Sequence, residues 1–223
     1  MKASTVILAA GDFPKKDGVA WRLIAAAKRV VACDSAAVGY RRRFGKWPTA
    51  IVGDLDSLCA RRVPCRNASQ RAQDVPCRII DQRAQDVPCR IILDADQETN
   101  DLEKALAFCA AEGWRSPVIV GATGKREDHT IGNVFRALEA QVPIITDHGV
   151  FHPVCGRKAL RARKGAGVSV FAPDPATRMT STGLQWPLAG VRFTSLYRAT
   201  LNRATGARVT VTSDRPVFVF VEN

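Results

Sequence analysis

The strongest constraint on the fold is an alternation of short apolar runs with helix-like segments along the first two thirds of the 223-residue chain. The runs are rich in Val and Ile and bounded by Gly, Pro or Asp: STVILAA, RVVAC, TAIVG, CRIIL, SPVIVG and VPIIT. Continuous apolar runs of this length are typical of strands buried on both faces of a parallel sheet. The pattern therefore predicts an α/β domain with a parallel, Rossmann-like sheet over residues 1–148.

Two of the intervening segments carry clear helical signals. In NDLEKALAFCAAEGW, Asn100 can cap the helix start, Glu103 supplies the capping-box acid and Gly113 suits the helix end. Its predicted buried face is Leu102, Ala105, Leu106 and Cys109. A second helix is predicted from Asp128 to Glu139, with an inward face of Ile131, Val134, Phe135 and Leu138.

After about Gly149 the pattern changes to runs of β type without a convincing helix. These runs are GVSVFAP, VRFTSLY, ARVTVT and PVFVFVEN, separated by Gly, Asn, Asp and Pro. Short strands separated by such turn residues are typical of an all-β unit. We therefore predict a small β-sandwich domain over residues 149–223, following the α/β domain.

A tandem repeat interrupts the α/β part. VPCRNASQRAQD, VPCRIIDQRAQD and VPCRIILDADQE begin at Val63, Val75 and Val87, a period of 12. Solenoid repeats have longer periods and recur along a whole chain, so this repeat indicates a local duplication within a loop. Only the third copy leads into a predicted strand, CRIIL. We expect residues 60–86 to form a slack, exposed loop.

Composition limits the partners and the location. The net charge is +12, mostly from arginines spread from Arg22 to Arg215 without a run of five basic residues, which favours a solvated basic surface over a nucleic-acid-binding one. No apolar run approaches the roughly 20 residues of a membrane helix. The seven cysteines include no C-x-x-C pair, which argues against a zinc or redox motif, and free thiols fit a reducing cytoplasm.

Two carboxylates follow the predicted strand TAIVG. Asp54 and Asp56 stand two residues apart in AIVGDLDSL, and side chains two apart in an extended chain point the same way. Open α/β folds place their ligands at this carboxyl edge of the sheet. A hard cation, Mg²⁺ shared with substrate phosphates, would suit the pair. The alternative is a turn whose aspartates cap the next helix.

Two further polar clusters follow neighbouring strands. DADQETND offers a set of acids, although one of them can simply favour a helix N-terminus: Asp94, Asp96, Glu98 and Asp101. VIVGATGKREDHTIGN places glycines, cations and an acid before a helix: Gly121, Gly124, Lys125, Arg126 and Asp128. Such a loop can bind an anion through backbone N–H groups, although it matches neither the Walker nor the Rossmann pattern. By itself, His129 fits a structural hydrogen-bonding role better than that of a base.

Together and in this order, GDLDS, DQETNDLEKAL and GATGKREDHTIGN resemble the catalytic motifs of the thiamine pyrophosphokinase (thiamine diphosphokinase) family. STGLQWPL and ATLNRATGARVTVTSDRPVFVF resemble the thiamine-binding half of that family. The resemblance implies an Mg²⁺-dependent enzyme that transfers pyrophosphate from ATP to the hydroxyl of thiamine, giving thiamine diphosphate and AMP. It also implies a homodimer with the active site at the subunit interface.

The resemblance assigns roles to individual positions. It implies a metal-binding set of Asp34, Asp54, Asp56, Asp96 and Asp101, of which Asp54, Asp56 and Asp101 would be catalytic. It implies a nucleotide-binding set of Ser57, Gly121, Gly124, Lys125, Arg126, Asp128, His129 and Asn133. Around thiamine it implies Thr182, Trp186 as the stacking residue, and Asn202.

The chain departs from the family pattern at four positions in three motifs. Asp34 is followed by Ser35 and Ala36 where the family has two glycines, Lys125 follows Gly124 where it has a second glycine, and Leu201 replaces a serine before Asn202. Two other functions therefore remain open from the sequence. One is a pyrophosphokinase for another heteroaromatic alcohol, such as a hydroxymethyl pterin; the other is a non-catalytic nucleotide- or nucleic-acid-binding protein.

Overall fold

The computed structural model of the chain describes residues 3–54, 75–77, 89–94, 96 and 98–223. It divides into two compact units, Met1–Asn133 and Val134–Asn223. The domain boundary that we place after residue 148 stays a prediction.

The first unit contains a sheet in the order β6-β1-β2-β3-β5-β4. Its strands are β1 (Thr5–Leu8), β2 (Arg29–Cys33), β3 (Ala50–Gly53), β4 (Val75–Cys77), β5 (Cys89–Leu93) and β6 (Val118–Val120). Neighbours pair in parallel, except that β4 is antiparallel to β5. All residues of β1, β3 and β6 are buried, as their apolar runs predict. The predicted α/β fold with parallel strands is confirmed.

The repeat segment differs from our expectation at one point. β4 lies within the second copy and pairs with β5, which the third copy forms, so these three residues are not a slack loop. The second and third copies both begin with VPCRII, so β4 pairs with a strand formed by an almost identical sequence. The other residues between 60 and 86 lie outside the described residues.

The described residues include four helices: α1 (Val19–Ala26), α2 (Ala36–Phe44), α3 (Asp101–Ala111) and α4 (Glu127–Glu139). The boundary between the two units lies within α4. The start of α3 is capped as predicted, because Asn100 Oδ1 accepts a hydrogen bond of 2.9 Å from the Glu103 N–H. Gly113 follows the helix with a left-handed φ of +66°. The predicted buried face of α3 is confirmed at Leu102, Ala105 and Cys109.

The predicted inward face of α4 is wrong at two positions. Leu138 is buried, but Ile131 is 59% exposed and Phe135 is 38% exposed. An apolar stripe marks the side of a helix that favours burial; it does not establish that another element covers that side. No helix in the described part of the chain is long and apolar enough to cross a membrane.

The second unit is an antiparallel β region in the order β7-β8-β12-β9-β11, with β10 paired to β12. Its strands are β7 (Ile144–Ile145), β8 (Gly149–Arg161), β9 (Gly167–Phe171), β10 (Met179–Thr182), β11 (Ala199–Arg203) and β12 (Arg208–Glu222). The predicted C-terminal β region is confirmed.

Three strand predictions in this unit need correction. ARVTVT and PVFVFVEN form one strand, β12, in which a register shift between Ser213 and Val217 accommodates Pro216. VRFTSLY is not a strand, because Phe193 enters the core from a loop and the strand begins only at Ala199. The long strand β8 was not predicted, since its sequence GVFHPVCGRKALR mixes apolar and charged residues.

Candidate active site

The carboxyl ends of three neighbouring strands bring acids together in the first unit. Asp34 follows β2, Asp54 follows β3 and Asp94 follows β5. The Asp34 N–H donates to the Val52 carbonyl oxygen at 2.9 Å, and the Asp94 N–H donates to the Gly53 carbonyl oxygen at 3.1 Å. These bonds continue the sheet for one residue beyond each strand, so the acids stand along a single edge.

Gly53, which was not among the predicted site residues, permits the closest approach at this edge. Its φ is +151°, a conformation that L side chains rarely adopt. A Cβ built on Gly53 would lie 2.9 Å from Asp101 Oδ1 and 3.2 Å from Asp34 Cβ. The glycine of the GDLDS motif is therefore required for Asp34 and Asp101 to lie on either side of the end of β3.

These acids are close enough to affect one another. Burial, followed by the charges of Asp34 and Asp54, raises the pKa of Asp101 to about 6, while Lys104 acts in the opposite direction. Asp34 is only 5% exposed, and its Oδ1 finds no hydrogen-bond partner among the described residues. Such crowding of buried carboxylate oxygens favours a cation.

The described residues do not by themselves complete a metal site: no group of three His, Cys, Asp or Glu side chains among them is arranged to hold an ion. Asp56 and Ser57 lie outside the described residues. Asp96 is engaged locally, since its Oδ1 accepts from the Glu98 N–H at 3.0 Å and its Oδ2 accepts from Thr99 Oγ1 at 2.8 Å. These bonds lower the pKa of Asp96. The donor atoms that remain are hard oxygens, which fit Mg²⁺.

A glycine-containing loop faces the same cavity from the end of β6. The N–H of Gly11 donates to the Gly121 carbonyl oxygen at 2.7 Å, which fastens the loop to the segment after β1. Gly124 has a φ of +81°, and a Cβ there would lie 2.1 Å from Asp12 Oδ2. Lys125 also has a left-handed φ, of +59°, and its Nζ donates to the Ala10 carbonyl oxygen at 2.6 Å.

The first turn of α4 adds a charged pair. Arg126 binds Asp128 through two hydrogen bonds, of 3.1 Å from Nε to Oδ1 and 2.5 Å from Nη2 to Oδ2. This bond to Arg126, together with the His129 N–H, lowers the pKa of Asp128 to about 2. Asn133 Nδ2 donates to the Ala122 carbonyl oxygen at 3.0 Å. Asp128 is therefore an anion paired with Arg126 and Asn133 supports the loop.

The acids at the strand ends, the loop after β6 and the first turns of α4 line one cavity of about 610 Å³ within the first unit. Of the predicted residues it brings together Asp54, Asp96, Asp101, Gly124, Lys125, Arg126, Asp128, His129 and Asn133. Gly121 and Asp34 do not line it themselves, although their chain neighbours Ala122, Cys33 and Ser35 do. A triphosphate could contact acids and cations here at the same time, provided that a metal ion neutralises the acids.

Sequence reasoning did not assign Lys104 to the site. It is only 6% exposed, lines the cavity and donates from Nζ to the Asp94 carbonyl oxygen at 2.8 Å. The signal was present: Lys104 lies three residues after Asp101 on α3 and next to the inward Ala105. A lysine on the buried side of a helix is unusual, and this position could have been noticed.

The predicted thiamine-contacting residues lie in the second unit. Trp186 is 54% exposed. Asn202 is 4% exposed; its Nδ2 donates to the Trp186 carbonyl oxygen at 2.7 Å and its Oδ1 accepts from the Trp186 N–H at 3.2 Å. Thr182, the last residue of β10, is exposed. Asn202 therefore fixes the backbone that carries Trp186.

Leu201 occupies an unusual conformation beside this amide. Its φ is +62°, and its side chain is 84% exposed. The Leu201 N–H donates to Ser169 Oγ at 3.2 Å, where the pairing of β11 with β9 shifts register. An exposed leucine with a left-handed backbone is strained without a compensating gain from burial.

Comparison with known protein families gives two adjoining matches. Residues 20–146 match the model described as "Thiamin pyrophosphokinase, catalytic domain", and residues 149–220 match "Thiamin pyrophosphokinase, substrate-binding domain". The chain belongs to the thiamin pyrophosphokinase family. The predicted resemblance is thereby confirmed, and the chain is a thiamine diphosphokinase, which transfers pyrophosphate from ATP to thiamine. Neither the pterin nor the non-catalytic alternative is favoured.

Solved structures share the fold along nearly the whole chain. A thiamin pyrophosphokinase from Geobacillus thermodenitrificans matches with a TM-score of 0.69 at 20% identity, covering 98% of this chain and 96% of that chain. The Bacillus subtilis enzyme matches with a TM-score of 0.68 at 18% identity, covering 98% of both chains. The Candida albicans enzyme matches with a TM-score of 0.69 at 14% identity, covering 99% of this chain and 89% of that chain. A comparison with curated protein sequences gave no match.

Proposed function

We propose that the pyrophosphate transfer requires Mg²⁺, held at the edge of the sheet by Asp34, Asp54, Asp56 and Asp101. The observation that carries this proposal is the crowding of Asp34 and Asp101 around Gly53, which leaves buried carboxylate oxygen without a compensating donor among the described residues. Asp96, also predicted as a ligand, would have to release Thr99 to bind a metal. We therefore propose that the main role of Asp96 is to hold the conformation of the loop before α3.

When bound, the metal would supply positive charge to the polyphosphate. Transfer of phosphoryl groups depends mainly on positioning and on charge neutralisation, so the remaining tasks of the chain are to hold and orient. Lys125 and the N-terminus of α4 face the cavity and would bind phosphate oxygens. Arg126 would exchange part of its bond with Asp128 for a phosphate. Ser57 and His129 are proposed to contact the nucleotide.

In the second unit we propose that Trp186 is the stacking platform for the thiamine ring, with Thr182 beside it. Its large exposed surface supports this role. Asn202 would act by holding the Trp186 backbone. We further propose a catalytic domain over residues 1–148, a thiamine-binding domain over residues 149–223, a cytoplasmic homodimer, and an active site between its subunits.

The experiment that tests the proposal measures AMP formation from ATP with and without Mg²⁺. Thiamine, a hydroxymethyl pterin and a blank without acceptor are offered in parallel. We expect AMP and thiamine diphosphate only when thiamine and Mg²⁺ are both present. Full activity after removal of divalent cations would refute the metal proposal. AMP formed only with the pterin would show that the acceptor is not thiamine. Sedimentation of the same sample tests the homodimer.

A further inference from the structure

Lys104 places a cation inside the acidic part of the cavity. Lysines are rarely this deeply buried, because removing an ammonium group from water is costly unless its charge is compensated. Here the side chain is 6% exposed and reaches the cavity wall between α3 and the end of β5. A cation in this position is retained for its charge and its bonds, since a leucine or methionine would fill the same space at lower cost.

The bond that Lys104 makes connects two elements of the site. Its Nζ donates to the Asp94 carbonyl oxygen at 2.8 Å, which joins the first turns of α3 to the residue after β5. The N–H of that same Asp94 donates to the Gly53 carbonyl oxygen at 3.1 Å. Asp94 is thus fastened on one side to β3 and on the other to α3, the helix that begins with Asp101.

The acids around Lys104 come from every element that meets there. Asp101 precedes it by three residues on α3, Asp94 and Asp96 follow β5, and Asp34 and Asp54 follow β2 and β3. The electrostatic influence of Lys104 reaches both Asp101 and Asp96, and it favours their ionised forms. Lys104 therefore adds a positive charge beside acids that would otherwise repel one another.

We propose that Lys104 is a positioning residue, a permanent counter-ion that holds the acidic edge of β3, β5 and α3 together when no metal or substrate is bound. Through its bond to the Asp94 carbonyl oxygen it fixes the position of α3 relative to the strand ends. The proposal deepens the proposed function, because it takes Asp54 and Asp101 as the residues that Lys104 positions. Its first test needs neither metal nor substrate.

That test is a stability cycle in EDTA with Lys104→Met, Asp101→Asn and the double variant. Lys104→Met leaves the acids uncompensated, and we expect the melting temperature to fall by about 5–10 °C. Asp101→Asn added to Lys104→Met should restore about half of this loss, because it removes one of the charges that repel. If the double variant melts as low as the sum of the single effects predicts, Lys104 is not a counter-ion and the proposal fails.

Lys158 offers a matched control in the second unit. Its Nζ donates to the Pro153 carbonyl oxygen, also at 2.8 Å, but it lies outside the acidic cluster. Lys158→Met should lower the melting temperature less, and Asp101→Asn should not restore it. Equal restoration in both backgrounds would mean that Asp101→Asn stabilises the chain in general, which would overturn the interpretation.

Kinetics then separate positioning from packing. Lys104→Met should lower kcat about tenfold or more while the KM values for ATP and thiamine stay within about threefold, since the proposed role of Lys104 is to position the acids. Lys104→Arg should recover a large part of kcat because it keeps the charge. An unchanged kcat in Lys104→Met contradicts the positioning role. If the wild-type protein forms no AMP with thiamine, the proposed function fails, and the stability cycle still decides on Lys104.

Discussion

The two units prepare their functional side chains in opposite ways. In the first, the acids are pressed together around Gly53, where even a methyl group would meet the Asp101 carboxylate at 2.9 Å. In the second, Trp186 and Leu201 are left exposed, and the buried Asn202 holds the backbone from beneath. In the proposed function, the first arrangement would bind a polyanionic ligand and the second would offer apolar surface to a ring. Each is therefore sensitive to a different kind of substitution.

The largest effect should come from adding a single methyl group to the first arrangement. In Gly53→Ala the new Cβ has no room between Asp101 and Asp34, and the φ of +151° becomes strained. Since misplacing a reacting group by about 1 Å can cost on the order of 100-fold in rate, we expect kcat to fall by about that factor or more. Steady-state AMP formation measures it.

Gly206→Ala is the matched control, because a Cβ at Gly206 meets nothing within 4 Å. It should leave kcat unchanged. If Gly53→Ala keeps wild-type kcat, the crowding of the acids is not required for the reaction. The first unit would then not depend on close packing of its functional side chains.

The arrangement in the second unit is tested by removing Asn202, which holds the backbone of Trp186, while the exposed Trp186 side chain is kept. Asn202→Ala deprives the Trp186 N–H and C=O of their partners, so the indole should lose its fixed position. The loss of such buried hydrogen bonds costs about 1–3 kcal/mol, so we expect the KM for thiamine to rise about tenfold while the KM for ATP changes little. Trp186→Ala should act in the same direction and more strongly.

The control for Asn202 is Ser181→Ala, which removes the hydrogen bond from the Leu188 N–H to Ser181 Oγ in the same loop region. It should lower stability without a selective change in the KM for thiamine. If both variants raise the two KM values equally, Asn202 is a general structural residue and does not serve the platform.

The sequence predicted the parallel sheet, and fewer than half of the residues that line the cavity were among its candidate site residues. Val- and Ile-rich runs identify buried strands, and the carboxyl ends of parallel strands share one edge, so Asp54 and Asp101 could be placed together. The role of Lys104 could not be derived in this way, since it depends on a contact with the Asp94 carbonyl oxygen across two elements. The long strand β8 was missed because its charged residues conceal the alternation.

A third prediction concerns a buried titratable group in the second unit that lies outside the proposed site. Burial, and to a lesser extent Lys158, lowers the pKa of His152 to about 4. An unfolded histidine has a pKa of about 6.5, so below that pH the unfolded chain binds more protons than the folded chain. The contribution of His152 to the free energy of unfolding is fully present above about pH 6.5. It is lost as the pH falls towards 4, and about 2 kcal/mol of it is lost at pH 5.

Urea unfolding at pH 7 and pH 5 tests this expectation. In His152→Gln the part of the pH dependence that His152 contributes should disappear, and the exposed His148 provides the control variant His148→Gln. If the wild-type protein and His152→Gln lose the same stability between the two pH values, burial of His152 does not control the acid sensitivity of this unit.

The smallest expected effect concerns Leu201, the exposed residue with a left-handed backbone. Asparagine tolerates a φ of +62° better than leucine, and little buried surface is lost because Leu201 is 84% exposed. Leu201→Asn should therefore stabilise the chain by about 1 kcal/mol, or about 2–4 °C in melting temperature. Leu196→Asn, at a position that is 39% exposed and has no positive φ, should not stabilise it. If Leu201→Asn stabilises the chain and also raises the KM for thiamine, the strained Leu201 contributes to the surface that binds the acceptor. The second unit would then keep its exposed apolar residues at a cost in stability, just as the first unit keeps its crowded acids.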